Sequence, residues 1–222
     1  AASDFRVESD SNTHMLFVDA GNNKIGINTS SPDDALHVKG NLFLEDSSPE
    51  ITLETTNSSH YNWQIAAQEN VANSFEIAVG STDADASNDS FTSTLLINSI
   101  GAVTKPLQPA FHAHPASTQS DFQRGVTVAV AFGTERFDLG GNFASNTFTA
   151  PVTGKYHLSA SIKFGTVNTD GGTNYYYINI ATSNRTYSNL CDIARAGAVD
   201  WNLNLDVLCD MDANDTATVQ VV

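Results

Sequence analysis

Lysine and arginine are scarce in this 222-residue chain. It has ten, against 25 aspartates and glutamates, and carries a formal net charge of −15. A protein that follows a phosphate backbone needs a basic stripe, so no nucleic acid is expected as a partner. No apolar run approaches the roughly 18 residues of a membrane helix, and no membrane insertion is expected. Two cysteines, Cys191 and Cys209, are too few for a disulfide framework. A hairpin turning near Gly197 would set Cys191 against a residue near 203, so two buried thiols are expected instead of a bond. No window of a dozen residues carries a convincing helical period. Motifs of chemistry are missing too: there is no G-x-S-x-G elbow, P-loop, G-x-G-x-x-G or H-E-x-x-H. The expectation is a protein that is not an enzyme, with no catalytic residue and no cofactor. The chain starts at Ala1, without Met and without an apolar leader, and reads as a fragment or a processed chain.

What the chain has is Asn, Ser, Thr and Asp, the residues of turns, between short apolar stretches. That composition predicts an all-β protein. Charge and aromatics divide unevenly along it. Residues 1–104 hold 3 basic and 15 acidic side chains but only 7 of the aromatic rings, whereas residues 105–222 hold 7 basic, 10 acidic and 13 rings. Aromatic rings supply large buried areas, so the second half can build a conventional core and the first half is poorly equipped for one. The boundary falls at Lys105-Pro106-Leu107-Gln108-Pro109, where two prolines punctuate the chain. The expected regions are 1–105 and 106–222.

In the first region, MLFVDAGNNKIGINT (15–29) reads as strand, turn, strand. TLLINSIGAVT (94–104) repeats that pattern, and LFLEDSSPEITLET (42–55) is a looser third copy. Trp63, Ile65 and Ala67 alternate with polar residues, as do Phe75, Ile77 and Val79, which gives two more strands. Strands of four to six residues with thin apolar coverage are marginal alone, and their open edges invite aggregation. Winding several chains together solves both problems, which is the logic of a trimeric fibre shaft. The loop GSTDADASNDS (80–90) is expected to hold Asp83, Asp85 and Asp89 as solvated carboxylates. Asp4, Glu8 and Asp10 are expected at solvated strand edges.

The stretch from Phe17-Val18-Asp19 through KIGINTSSP (24–32) to Leu36-His37-Val38-Lys39-Gly40 resembles a unit common in bacteriophage tail-fibre and virion-fibre proteins. The likeness covers residues 15–44, with an echo at 94–104. It implies a fibrous, trimeric virion component.

Strands are legible throughout the second region. Val126, Val128, Val130 and Phe132 alternate, as do the apolar residues of KYHLSASIKF (155–164), of Tyr175 to Ile180, of Trp201 to Val207, and of Ala217 to Val221. Turns fall at Gly140-Gly141-Asn142, Pro151 to Gly154, Asp170-Gly171-Gly172 and Asp212 to Asp215. This spacing predicts a sandwich or jelly roll. PAFHA (109–113), FDLGGNF (137–143), TFTAPVTGKYHLSASI (147–162) and LDVLCDMDANDTATVQV (205–221) together resemble the complement C1q/tumour necrosis factor jelly-roll family. The likeness covers residues 109–222 and implies a ten-stranded jelly roll that forms compact trimers and has no catalytic activity. One departure stands out. The family ends on a further strand with a Phe-x-Gly motif, where this sequence stops at Val222; either the sequence is cut or the variant is shortened.

Two metal readings stay open beside plainer ones. His112 and His114 lie two apart on an expected strand, so their rings share a face. Three such pairs around a threefold axis would offer six imidazoles to a transition metal; the plainer reading is two exposed histidines. Asp210, Asp212, Asn214 and Asp215 resemble the start of a calcium loop, but the sixth-position glycine is absent and Val221 stands at position twelve; the plainer reading is an acidic turn. The expected whole is a homotrimeric virion fibre or spike. Its head would bind a host-surface glycan or protein receptor through loops 140–147, 165–174, 183–200 and 210–216, and its shaft would meet other virion structural proteins. The alternatives are a bacterial secreted or cell-surface adhesin with the same head, and an enzyme of the fibre-depolymerase kind.

Overall fold

The computed structural model describes residues 3–82, 85–120, 122, 125–166, 175–192 and 200–222. They form two compact units, Ala1–Thr104 and Lys105–Val222. Both are all-β. The one other regular element among the described residues is a single 3-10 turn, Ala86–Asn88.

The first unit opens with β1 (Phe5–Val7), β2 (Leu16–Asp19), β3 (Lys24–Ile27) and β4 (Leu36–Val38), in that order across one sheet. The predicted β2–β3 hairpin is present, pairing Leu16 with Ile27 and Asp19 with Lys24. Its turn is held by the Asp19 carboxylate, which accepts from the Asn22 side chain at 2.9 Å and its backbone N–H at 3.0 Å. Those donors, the side-chain amide foremost, hold the Asp19 carboxyl below the usual range. Asn23 enters the left-handed region at φ 56°, where asparagine is tolerated. Gly26 is required by close approach: a Cβ there would collide with the Thr29 carbonyl. β4 runs parallel to β3, with His37 opposite Gly26. Asp4 is tied to this sheet, accepting from the Ala20 N–H at 3.0 Å, and Glu8 pairs with Arg6.

A second sheet follows: β5 (Glu50–Leu53), β6 (Trp63–Ala67), β7 (Ser74–Val79), β8 (Thr92–Asn98) and β9 (Val103–Thr104), each paired with the next. The predicted hairpin over 42–55 is half correct. β5 forms, but Leu42, Phe43 and Leu44 are exposed and outside any strand, because β5 takes β6 as its only partner among the described residues.

The second unit contains β10 (Ala110–His114), β11 (Val128–Ala129), β12 (Thr134–Leu139), β13 (Phe143–Ala144), β14 (Thr147–Thr149), β15 (Gly154–Phe164), β16 (Tyr175–Thr182), β17 (Thr186–Asp192), β18 (Trp201–Met211) and β19 (Thr216–Val221). One layer is a six-stranded sheet ordered β13-β14-β19-β16-β17, with β11 on β19. The strand expected over 126–132 is short, only Val128–Ala129. The second layer is two separate pairs, β10–β12 and β15–β18. Between the layers lie Phe143, Phe148, Ile180 and Ala217 from the first, and Leu158, Val207, Cys209 and Met211 from the second. Phe111 stacks on Phe143 and Phe148 with centroids 4.6 and 5.1 Å away. Tyr156 tilts on Phe148 at 5.4 Å and donates its hydroxyl to the Val152 carbonyl at 2.6 Å. These rings are why the second region, with most of the aromatics, holds the conventional core.

The expectation of two buried thiols holds at Cys209 and needs correction at Cys191, which is only half-buried. β17 pairs with β16, setting Cys191 opposite Tyr176, and β18 pairs with β15, setting Cys209 opposite Tyr156. The two strands lie in different layers and do not form the hairpin that would face Cys191 with residue 203. Both cysteines are free thiols. Burial pushes the Cys209 thiol upward, which keeps it protonated at neutral pH.

Candidate functional site

The five-stranded sheet of the first unit is the most unusual surface on the molecule. Register places Ile51, Ile65, Ile77 and Leu95 in one rung. Leu53, Trp63 and Val79 form the next, and Phe75, Ile97 and Val103 a third. All lie on one face, since residues paired across a ladder share a side. Alternation marks that face as core, yet Trp63 is 40% exposed and Phe75 45%. The buried face is the polar one: Gln64, Glu76, Ser74 and Ser93, with Ala66 and Ala78 between them.

The inversion has a local cause. The chain between strands folds back over the polar face and supplies partners for its carboxylate and hydroxyls, while Gln64 Oε1 is buried with no partner among the described residues. Glu76 is fully buried. Its carboxylate accepts from the backbone N–H groups of Asn70 (3.1 Å) and Val71 (2.9 Å), from the Ser74 hydroxyl (3.2 Å) and from the Ser93 hydroxyl. Burial raises its pKa, but the donors led by Ser93 outweigh that and hold the carboxyl below its ordinary value. Asn62, also fully buried, accepts from Thr55 N–H at 2.9 Å and donates to Asp89 at 3.0 Å. The predicted solvated loop is therefore structural in part. Asp89 binds Asn62 and Ser81. Asp85 caps the 3-10 turn, accepting from Ser87 N–H at 3.1 Å, and Glu54 accepts from Ala86 N–H at 3.2 Å. Asp83 lies outside the described residues.

The histidines sit on β10, opposite Phe137 and Thr134. Phe111 and Ala113 face the core, so His112 and His114 share the other side. His112 is exposed, and its ring meets the edge of Phe137 at 6.1 Å. His114 Nδ1 lies 3.0 Å from the Pro115 carbonyl, while its Nε2 is buried with no partner among the described residues. Among those residues no three His, Cys, Asp or Glu side chains cluster as one chain's metal site.

The acidic turn is built by its own carboxylates. Asp215 accepts from Asp212 N–H at 2.8 Å and from the Asn184 amide at 2.9 Å. Asn214 turns left-handed at φ 74° and donates its N–H to the Ala150 carbonyl at 2.8 Å. Asp210 pairs with Arg185 at 3.3 Å. Asp215 and Asp210 thus have protein partners, and Asp212 is left exposed at the turn. Thermal melts in excess calcium and in chelator should coincide, and a calcium-dependent rise would show that the turn opens to take an ion.

The loop surfaces expected to meet a host divide unevenly. Residues 140–142 and 212–215 are turns, but most of 183–192 is β17, so that stretch is no free loop. Residues 167–174 and 193–199 lie outside the described residues. Beside them, Trp201 opens β18 opposite Phe164, and Lys163 and Asp200 pair at 3.5 Å. The inverted sheet escaped sequence reading because alternation reports a two-faced strand without saying which face other chain segments cover. No family model matches this chain, and no curated protein is similar to it.

Proposed function

We propose that this protein is a structural, non-enzymatic virion fibre or spike component. Three copies associate through the first unit, and the second unit is a jelly-roll head that contacts a host-surface glycan or protein. The observation that carries the reading is the outward apolar face of the β5–β9 sheet, which has no charged side chain in its three rungs. A face of that kind has a use when copies pack it together, because contiguous exposed apolar patches mark association surfaces. The fibre-like stretch over residues 15–44 supplies the threefold expectation. The two-layered second unit, with aromatic rings between the layers, supports the head.

Light scattering on the purified chain is expected to return three chain masses. Labelled protein should also bind host cells, and Trp201→Ala should weaken that binding about tenfold, as central tryptophans do in interfaces. A monomer at micromolar concentration would end the trimeric reading. Normal cell binding by the Trp201 variant would move the contact elsewhere on the head.

A further inference from the structure

The four-stranded sheet of the first unit also keeps an apolar face open. Register places Phe5, Val18, Ile25 and Leu36 in one rung and Val7, Leu16, Ile27 and Val38 in the next. All of these side chains share one side, since residues paired across a ladder, or two apart along a strand, point the same way. None is polar. Leu36 is 61% exposed and Phe5 59%, with Val7 and Ile25 exposed beside them. The chain places its own cover on the opposite side. There the Thr29 carbonyl lies over Gly26, His14 packs edge-on against Phe17 at 5.4 Å, and Phe17 is buried. Leu42, Phe43 and Leu44, the next apolar segment after β4, are exposed themselves and do not close the open face.

We propose that this face is a second contact between copies of the chain, in which three β1–β4 sheets close a triangular barrel around a threefold axis with their apolar faces inward. The proposal rests on the trimeric reading and adds a contact that the β5–β9 sheet does not make. Width favours this occupant. Four strands about 4.8 Å apart make a sheet about 19 Å wide. A triangle with sides of about 19 Å has its centre about 5.5 Å from each side, close to half the ~10 Å spacing of packed sheets. Valine, leucine and isoleucine side chains fill that distance. The edges favour it too. β1 and β4 are the outer strands, and neither has a second ladder partner among the described residues. At each corner of the triangle β1 of one copy meets β4 of the next, a head-to-tail contact that closes into a ring and covers both edges. Charge points the same way. The residues of this unit carry 15 acidic and 3 basic groups. A foreign partner of such a unit is selected by complementary charge, and this face offers none.

The test puts the photo-crosslinker p-benzoylphenylalanine in place of Leu36 in the full chain. After irradiation a denaturing gel reads whether chains are joined, and mass spectrometry of the digest reads where. Joined chains are expected, with the attachment inside residues 5–38. Leu36→Glu, which buries an unpaired carboxylate at the corner, should weaken association about tenfold or more with the strand spectrum unchanged. If that spectrum is lost, Val7→Glu on the other edge strand repeats the test. An oligomer by light scattering that gives only single chains on the gel, that joins only through residues 50–104, or that survives the glutamate variant overturns this contact and leaves the trimeric reading standing. A single chain mass in light scattering overturns both.

Discussion

Phe75→Glu should reduce the protein to single chains while leaving its strands intact. Phe75 lies at the end of the apolar face and is 45% exposed in one chain, so a single copy tolerates a carboxylate there. In an assembly that closes over this face, the same carboxylate is buried without a partner. That costs about 3–5 kcal/mol per copy, and each ~1.4 kcal/mol is a factor of ten in association. Association should fall by more than about a hundredfold. Light scattering and circular dichroism together read the result: one chain mass with an unchanged strand spectrum. An intact oligomer carrying Glu at 75 would place the interface elsewhere. Loss of the strand spectrum would show that Phe75 holds the sheet together within one chain; Ile51→Glu, on the edge strand β5 and 42% exposed, then tests the same face independently.

Glu76→Ala, one residue along and on the other side of the sheet, should have the opposite signature. It removes the acceptor for two backbone N–H groups and two hydroxyls in a fully buried position. Each stranded donor costs roughly 1–3 kcal/mol, less where water reaches it, so a net loss of about 3–5 kcal/mol is expected. The first unit should melt roughly 15 °C lower or more. Acid gives a second readout. The folded carboxyl titrates below its unfolded value, so its contribution is complete above the ordinary glutamate range and fades as pH falls through the lower folded value. Melts recorded downward from about pH 6 should show wild type losing stability below about pH 4.3, with a shallower slope in the variant. Equal slopes would mean that the fold leaves the Glu76 carboxyl unshifted.

Much of the strand pattern was legible in the chain because it rests on local periodicity. The β2–β3 hairpin follows from apolar residues flanking Gly21-Asn22-Asn23, and the long β15 follows from the alternation of KYHLSASIKF after Pro151 and Gly154. What failed depends on contacts distant in sequence. Residues 42–44 carry apolar side chains but lack a partner strand, so they form no ladder. Cys191 is half-buried where a buried thiol was expected, because β17 pairs with β16 and not with β18, a pairing that nearest-neighbour reasoning does not reach. The inverted sheet is the deepest case. Ser93 binds Glu76 across 17 residues, and Asn62 binds Asp89 across 27. No local pattern announces such pairs, yet they decide which face is wet. The acidic run at 210–215 shows the same limit: spacing lists the carboxylates but not the Asn184 and Arg185 side chains that occupy two of them.

The uncharged face has a consequence for conditions of assembly. The residues of its unit carry 15 acidic groups against 3 basic ones, all outside the apolar rungs. Copies that met through the face would bring those like charges closer together. Dilute buffer leaves that repulsion long-ranged, whereas at about 0.1 M salt it fades beyond roughly 10 Å. If copies do pair as proposed, ionic strength that would weaken an ion-paired interface should tighten this one.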